Sequence, residues 1–148
     1  MLKSTLKLEK TSNRLSNLCQ RCLVTNTKYP QEQQLALFTI AYILEKIADE
    51  FKYLIQEILK TKKINSKINQ SLKTVIPFIK KIYKLFYNFN IKEASNLFGD
   101  TRDLTKRRYT LYHYLDMVPS YANQILGLIS FLKMTNMQDM KQSFKKLV

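Results

Sequence analysis

An all-α bundle of about five helices is the fold this sequence predicts, on three observations. Apolar residues fill 45% of the 148 positions, enough for a sizeable core in a single domain over 1–148. Only two glycines and three prolines are present, too few for the turns that a β-sandwich or barrel needs. Along most of the chain, apolar residues recur by threes and fours, the period of a helix rather than a strand.

The first helix is expected from about Leu6 to Val24, with Leu8, Leu15, Leu18, Cys22 and Leu23 as its apolar set, closing at Thr25-Asn26-Thr27-Lys28-Tyr29-Pro30. The second, from about Gln31 to Lys62, is the longest and best marked. Leu37, Ile40, Leu44, Ile47, Phe51, Leu54 and Ile58 form the seam of a bundle helix. Asn65-Ser66 can cap a third helix running to about Asn88, with Ile68, Leu72, Val75, Ile79, Ile82 and Phe86 inward and Pro77 as a potential bend. Asn88-Phe89-Asn90 breaks the pattern. Ile91 to Phe98 then reads as a short helix ending near Gly99-Asp100, and Arg102 to Asp116 as a further helical stretch. Val118-Pro119-Ser120 marks a helix start or a kink before Tyr121 to Met134. Beyond Thr135 the chain turns polar and basic, with Met137, Met140 and Phe144 as a weak stripe expected to fray.

The longest mostly apolar stretch, Leu35 to Leu44, falls far short of the roughly 20 residues of a membrane span, so no membrane insertion is expected. The start, Met1 to Lys7, lacks the apolar run and small-residue cleavage site of a secretory leader, and a cytoplasmic protein is the expectation. The formal charge of +14, from 25 Lys and Arg against 11 Asp and Glu, attracts phosphate backbones, anionic lipid and acidic proteins without choosing among them. Basic clusters at Lys60-Thr61-Lys62-Lys63, Lys80-Lys81 and Lys106-Arg107-Arg108 are dispersed and read as solvated surface. Nucleic acid is therefore an open but less favoured partner.

Cys19 and Cys22 form a lone C-x-x-C with no second pair, and their helical spacing favours small core residues in a reducing compartment, with a redox switch as the lesser alternative. The single histidine, His113, sits among Tyr109, Tyr112 and Tyr114 and reads as a partly buried imidazole with a local hydrogen bond. Gly99 and Gly127 stand alone, which disfavours a phosphate-cradling loop. No Glu has a His three residues on, which disfavours a carboxylate-bridged di-iron oxygenase.

The stretch Leu44-Glu45-Lys46-Ile47-Ala48-Asp49-Glu50-Phe51 stands out. It sets Glu45 and Asp49 four apart on one helix face, where they repel by about a few tenths of a kcal/mol unless a cation lies between them. Spacing alone leaves two readings. The acids can lie on a solvated face partnered by Lys46 and Lys52, or they can hold a metal ion through oxygen ligands.

Leu44-Glu45-Lys46-Ile47-Ala48-Asp49 resembles the L-E-R-I-G-D signature of PhoU, the phosphate-uptake regulator family, in an archaeal-type, shortened variant. Thr11 to Arg21 is similar to the helix that precedes that signature. Phe89-Asn90-Ile91-Lys92-Glu93-Ala94 is similar to the opening of the family's second half, and the likeness runs from about Leu8 to Leu132. The resemblance implies an up-and-down bundle whose E-x-x-x-D helices carry metal on their surface. Glu45 and Asp49 match that motif. In the second half, Asp116 stands where the Glu would be, Ser120 where the Asp would be and Pro119 at the glycine position, so Asp116 alone carries over as a ligand. The cofactor implied is a divalent or trivalent metal ion, with Fe, Zn, Mg and Mn as candidates. The function implied is that of a regulator rather than an enzyme: control of phosphate uptake and phosphate-responsive signalling by contact with a phosphate ABC transporter and a signalling protein such as a sensor kinase. A half-size bundle leaves apolar helix faces uncovered, so self-association, as a homodimer, is expected. The alternatives are a basic helical nucleic-acid-associated protein and a metal-free helical adaptor.

Overall fold

The computed structural model describes residues 2–25, 28–106 and 111–147, leaving aside the side chains of residues 2, 3, 5, 6, 101, 105, 106 and 137–147. The basic cluster at 106–108, Tyr109 and the Met137, Met140 and Phe144 stripe lie outside what is described. Five α-helices and no strand occur among the described residues: α1 (Leu2–Thr25), α2 (Gln31–Thr61), α3 (Ser66–Tyr87), α4 (Ile91–Lys106) and α5 (Val118–Leu147), with one 3-10 turn at His113–Leu115. Among the described residues no helix is long and apolar enough to cross a membrane.

α2 starts directly after Pro30, whose carbonyl accepts the first helical bond from the Gln34 amide at 3.0 Å. Glu32 in its first turn and Lys60 in its last complement the helix dipole. It ends at Lys62, whose backbone is left-handed (φ 55°) and whose amide donates to the Ile58 carbonyl at 2.8 Å. A lysine there carries the Cβ strain that glycine avoids. α3 opens on Asn65, whose Oδ1 accepts from the Ile68 amide at 2.8 Å, the N-cap bond that the sequence suggests. The helix continues through Pro77, which is exposed, so the carbonyl left without an amide partner at that turn can turn to water.

α4 opens on Asn90, whose Oδ1 takes the Lys92 and Glu93 amides. It does not stop near Gly99-Asp100 but runs on to Lys106. One glycine costs roughly 1 kcal/mol inside a helix, which the burial of Ala94 and Leu97 offsets. Nor is Arg102 to Asp116 one helix: its first residues belong to α4, Tyr112 is extended (φ −70°, ψ 138°), and a 3-10 turn follows. The Val118-Pro119-Ser120 ambiguity resolves as a helix start, and α5 runs from there past Thr135.

The core is centred on α5. Val118, Ala122, Ile125, Leu126 and Ile129 are each at most 2% exposed, and α2, α3 and α4 all rest on this stretch. From α2 come Ala36, Ile40, Ile43, Ile47, Leu54 and Ile58, and from α3 Ile68, Val75, Ile82 and Leu85. Buried Ser71 of α3 accepts the Tyr112 amide through its Oγ at 2.8 Å, which pins the approach to the 3-10 turn. Gln33 at the head of α2 donates to Asn136 Oδ1 of α5 at 3.1 Å.

α1 overturns an expectation. It lies antiparallel along α2, since Ser16 reaches the Ala41 carbonyl while Glu9 reaches Lys52. Among the described side chains its sheltered side is mostly polar: Glu9, Ser12, Asn13, Ser16 and Gln20, with Leu23 at one end. Leu8, Leu15 and Leu18 are 66%, 56% and 56% exposed, and Cys19 and Cys22 are exposed free thiols rather than core residues. The reason is that α5, not α1, fills the apolar side of α2, and α1 is left with the flank where Ala41, Glu45 and Asp49 lie.

Two substitutions test the helix ends. Lys62→Gly should stabilise the fold by roughly 0.5–1 kcal/mol, because glycine takes the left-handed conformation without strain. Asn65→Ala should cost about 1 kcal/mol by orphaning the Ile68 amide. Urea denaturation of the two variants reads both signs directly, and a loss with Lys62→Gly would contradict the left-handed cap.

Candidate functional site

Glu45 and Asp49 are one turn apart on the side of α2 that meets α1, and both are partly buried. Asp49 Oδ1 lies 2.5 Å from Lys52 Nζ, and the same ammonium lies 3.3 Å from Glu9 Oε1 on α1. Three charged groups, each with a side chain no more than 19% exposed, thus form a carboxylate–ammonium–carboxylate bridge across the helix joint. Glu9 Oε1 also accepts from Asn13 Nδ2 at 2.7 Å. Asn13 Oδ1 is buried and has no hydrogen-bond partner. With Glu9 level with Asp49 and Lys52, and Ser16 level with Ala41, the antiparallel register sets Asn13 level with Glu45. The Asp49 bridge to Lys52 realises one half of the lysine reading. Lys46 instead lies over the Tyr42 ring, 5.0 Å from its centroid.

Hydrogen bonding to Asp49 raises the Lys52 ammonium above its ordinary value, more than burial opposes it, and Glu9 adds to the rise. Asp116 does not join Glu45 and Asp49. It follows the 3-10 turn, on the side of α2 that carries Glu50. The Glu50 carboxyl is raised from its ordinary value by burial first, then by the charges of Asp116 and Asp49. Tyr121 shares this corner, its hydroxyl raised by burial and then by Glu50, with Lys46 acting in the opposite sense. Glu45 and Glu50 are five residues apart on one helix and point well away from each other. Among the described residues no three His, Cys, Asp or Glu side chains gather as a metal-holding group. Ser120 is partly buried in the first turn of α5.

A second cluster lies further along α2. Tyr112 donates a short hydrogen bond from its hydroxyl to Glu57 Oε1, and this bond is the first cause that pushes the hydroxyl up to about 12. His113 is not partly buried: its side chain is 60% exposed, with Nε2 3.4 Å from Glu57 Oε2. Its ring packs between those of Tyr112 and Tyr114. The cluster ties α2 to the segment before α5.

Sequence reasoning missed Glu9, Asn13 and Glu50. The first two were legible, because Glu9, Asn13, Ser16 and Gln20 recur at threes and fours and mark a polar face of α1 as regular as its leucines.

Replacing Lys52 by Met should leave two sheltered carboxylates without their cation and cost about 1 kcal/mol. Amide exchange along α1 should accelerate while that of α5 changes little; unchanged α1 exchange would mean that the bridge does not hold the helix. The contribution is fully present below the ordinary lysine pKa and is lost as pH rises through the higher folded value, so α1 should loosen only under strongly alkaline conditions. Glu50 works the other way. Its folded carboxyl is raised, so its ionisation weakens the fold as pH rises through that value. Glu50→Gln should be more stable than the parent at pH 7, with the advantage shrinking as pH falls toward the ordinary carboxylate range. Denaturation of both proteins at pH 7 and pH 4 measures the difference.

No protein-family model, curated protein or solved structure matches the chain. The resemblance of residues 44–49 to the acidic signature therefore rests on the residues themselves and on the helix order around them.

Proposed function

We propose that the chain is a cytoplasmic PhoU-like regulator of phosphate uptake and phosphate-responsive signalling, working by protein contact, with the α1–α2 joint as its metal-binding site. The observation that supports this most is the joint itself. Glu45 and Asp49 lie on the sheltered side of α2, an internal cation already bridges Asp49 to Glu9, and the buried Asn13 Oδ1 lacks a partner. Glu45, Asp49, Glu9 and Asn13 Oδ1 are all oxygen donors of the kind a hard cation takes; they are not gathered as a metal-holding group while Lys52 occupies the joint, so binding an ion would have to draw them together. Such an ion would replace the Lys52 ammonium between the carboxylates and would offer open positions to phosphate or to a partner's carboxylate. Asp116, beside Glu50, is no part of this set. The partners in this reading are a phosphate transporter and a sensor kinase. Self-association would use the uncovered apolar groove of about 230 Å³ between α2 and α3, lined by Leu44, Ile79, Tyr83 and Tyr87 and floored by Ile125 and Ile129.

Metal analysis of the purified chain and of a Glu45→Ala/Asp49→Ala variant, each offered Fe, Zn, Mg and Mn, tests the site. The parent should retain about one ion that the variant loses, and equal content in both, or none in either, would overturn the assignment. In cells, loss of the protein should leave phosphate uptake high when phosphate is plentiful. Unchanged uptake would remove the regulatory reading, and binding of duplex DNA that weakens steeply with salt would replace it with the nucleic-acid one.

A further inference from the structure

The outward face of α1 is built as a seam with nothing against it. Leu8, Thr11, Leu15, Leu18 and Cys22 follow one another by threes and fours, the spacing with which one helix of a coiled coil meets another. All five are exposed, the three leucines by more than half. Along one edge of this stripe Lys7, Arg14 and Arg21 recur every seven residues, with Lys10 beyond them, and all four are exposed. The other edge carries Ser12 and Cys19. From Lys7 to Cys22 the side facing α2 is the polar one, so this part of α1 is seated by its polar face and shows its apolar face to its surroundings.

We propose that this face of α1 is a docking surface for an amphipathic helix of another protein, one with an apolar stripe in coiled-coil register and acidic residues on its flanks. Charge decides the kind of partner. The column of Lys7, Arg14 and Arg21 occupies the flank positions where a coiled coil forms its interhelical ion pairs, so acids on the incoming helix pair with it. The chain's +14 charge draws such a partner in and speeds encounter. A second copy suits the surface less well. Side by side and parallel, it sets the basic column against Ser12 and Cys19; antiparallel, it sets the column against itself, and either way it adds another +14. The seam from Leu8 to Cys22 is about 21 Å long at 1.5 Å per residue, two heptads of contact on a helix of 24 residues. The inference does not depend on the metal site or on the phosphate reading.

The test uses the full chain and two synthetic helical peptides of three heptads, both with Leu and Ile on the stripe, one with Glu and the other with Lys on the flanks. The Glu peptide should bind, and the Lys peptide should not. A Leu15→Gln/Leu18→Gln variant should weaken the Glu peptide at least tenfold while its circular dichroism and melting temperature match the parent, since both leucines already face solvent. Arg14→Gln/Arg21→Gln should weaken binding too and flatten its dependence on salt. Binding of the Glu peptide that ignores the leucine pair would reduce the surface to charge alone and overturn the proposal, as would no binding. A dimer of the chain that excludes the peptide and dissociates on the leucine substitutions would assign the face to a second copy instead.

Discussion

The stretch of α5 from Val118 to Leu132 is the constraint on which the other helices depend. Its residues are buried on more than one side, Ala122 and Leu126 completely, and a helix that is apolar around most of its girth has to be surrounded. Ala122 lets a neighbouring helix come close, while Ile125, Leu126 and Ile129 fill the space beyond it. α2, α3 and α4 each place an apolar face on this stretch. α2 and α3 then stand on either side of it, with the apolar groove open between them. The segment after α4 is drawn in by Leu111 and Leu115 and fastened by Ser71.

Surrounding α5 in this way uses the apolar face of α2 and decides what remains for α1. The flank still open on α2 carries Ala41, Glu45 and Asp49, so α1 can be seated only by a polar face. The joint consequently relies on directed contacts: the Ser16 hydroxyl on the Ala41 carbonyl, and the Lys52 ammonium between Asp49 and Glu9. Such contacts lose much of their worth to solvent competition, whereas dry apolar packing does not. α1 is therefore the helix held least firmly by burial, and the acids of the signature-like segment lie where the bundle is least dry. A site that exchanges its cation, or a helix that exchanges its partner, belongs in such a place.

What could be read from the sequence divides along the same line. α2 and α3 are legible in their bounds and in most of their apolar seams, and Asn65 caps where a cap is expected; Leu44, expected in the α2 seam, is instead 48% exposed on the wall of the open groove, and buried Ala36, Ile43 and Leu85 lie beside the expected positions. The seam of α1 is just as regular, yet Leu8, Leu15 and Leu18 face outward. Periodicity reports that a helix has an apolar face and is silent on whether the rest of the chain has anything to set against it. Gly99 misled in a smaller way, since the cost of one glycine is below what the burial of Ala94 and Leu97 returns. Asp116 stands, by resemblance, at the Glu position of a second, degraded motif; which acid it meets on α2 depends on rotation about that helix, which the sequence does not carry, and its charge acts on Glu50. Asn13 went unread because an amide oxygen becomes informative only when burial removes its water.

The charge of the chain takes on a direction once the acids are placed. Glu9 and Asp49 are spent on Lys52, Asp100 faces Lys81, Glu93 faces Lys84, and Glu57 is held by Tyr112 and His113. Glu9, Asp49 and Glu57 are thus sheltered beside their partners, while the Asp100 and Glu93 pairs stand in solvent with both members more than half exposed, so the surface that solvent meets is somewhat more one-sided than the composition implies. A uniformly basic surface is suited to a phosphate backbone, but a backbone needs a track of cations and makes no use of exposed leucines. On α1 the cations run along one edge of an apolar stripe. That combination rewards a partner that brings apolar side chains and carboxylates at the same helical spacing, which an acidic amphipathic helix does and a nucleic acid does not.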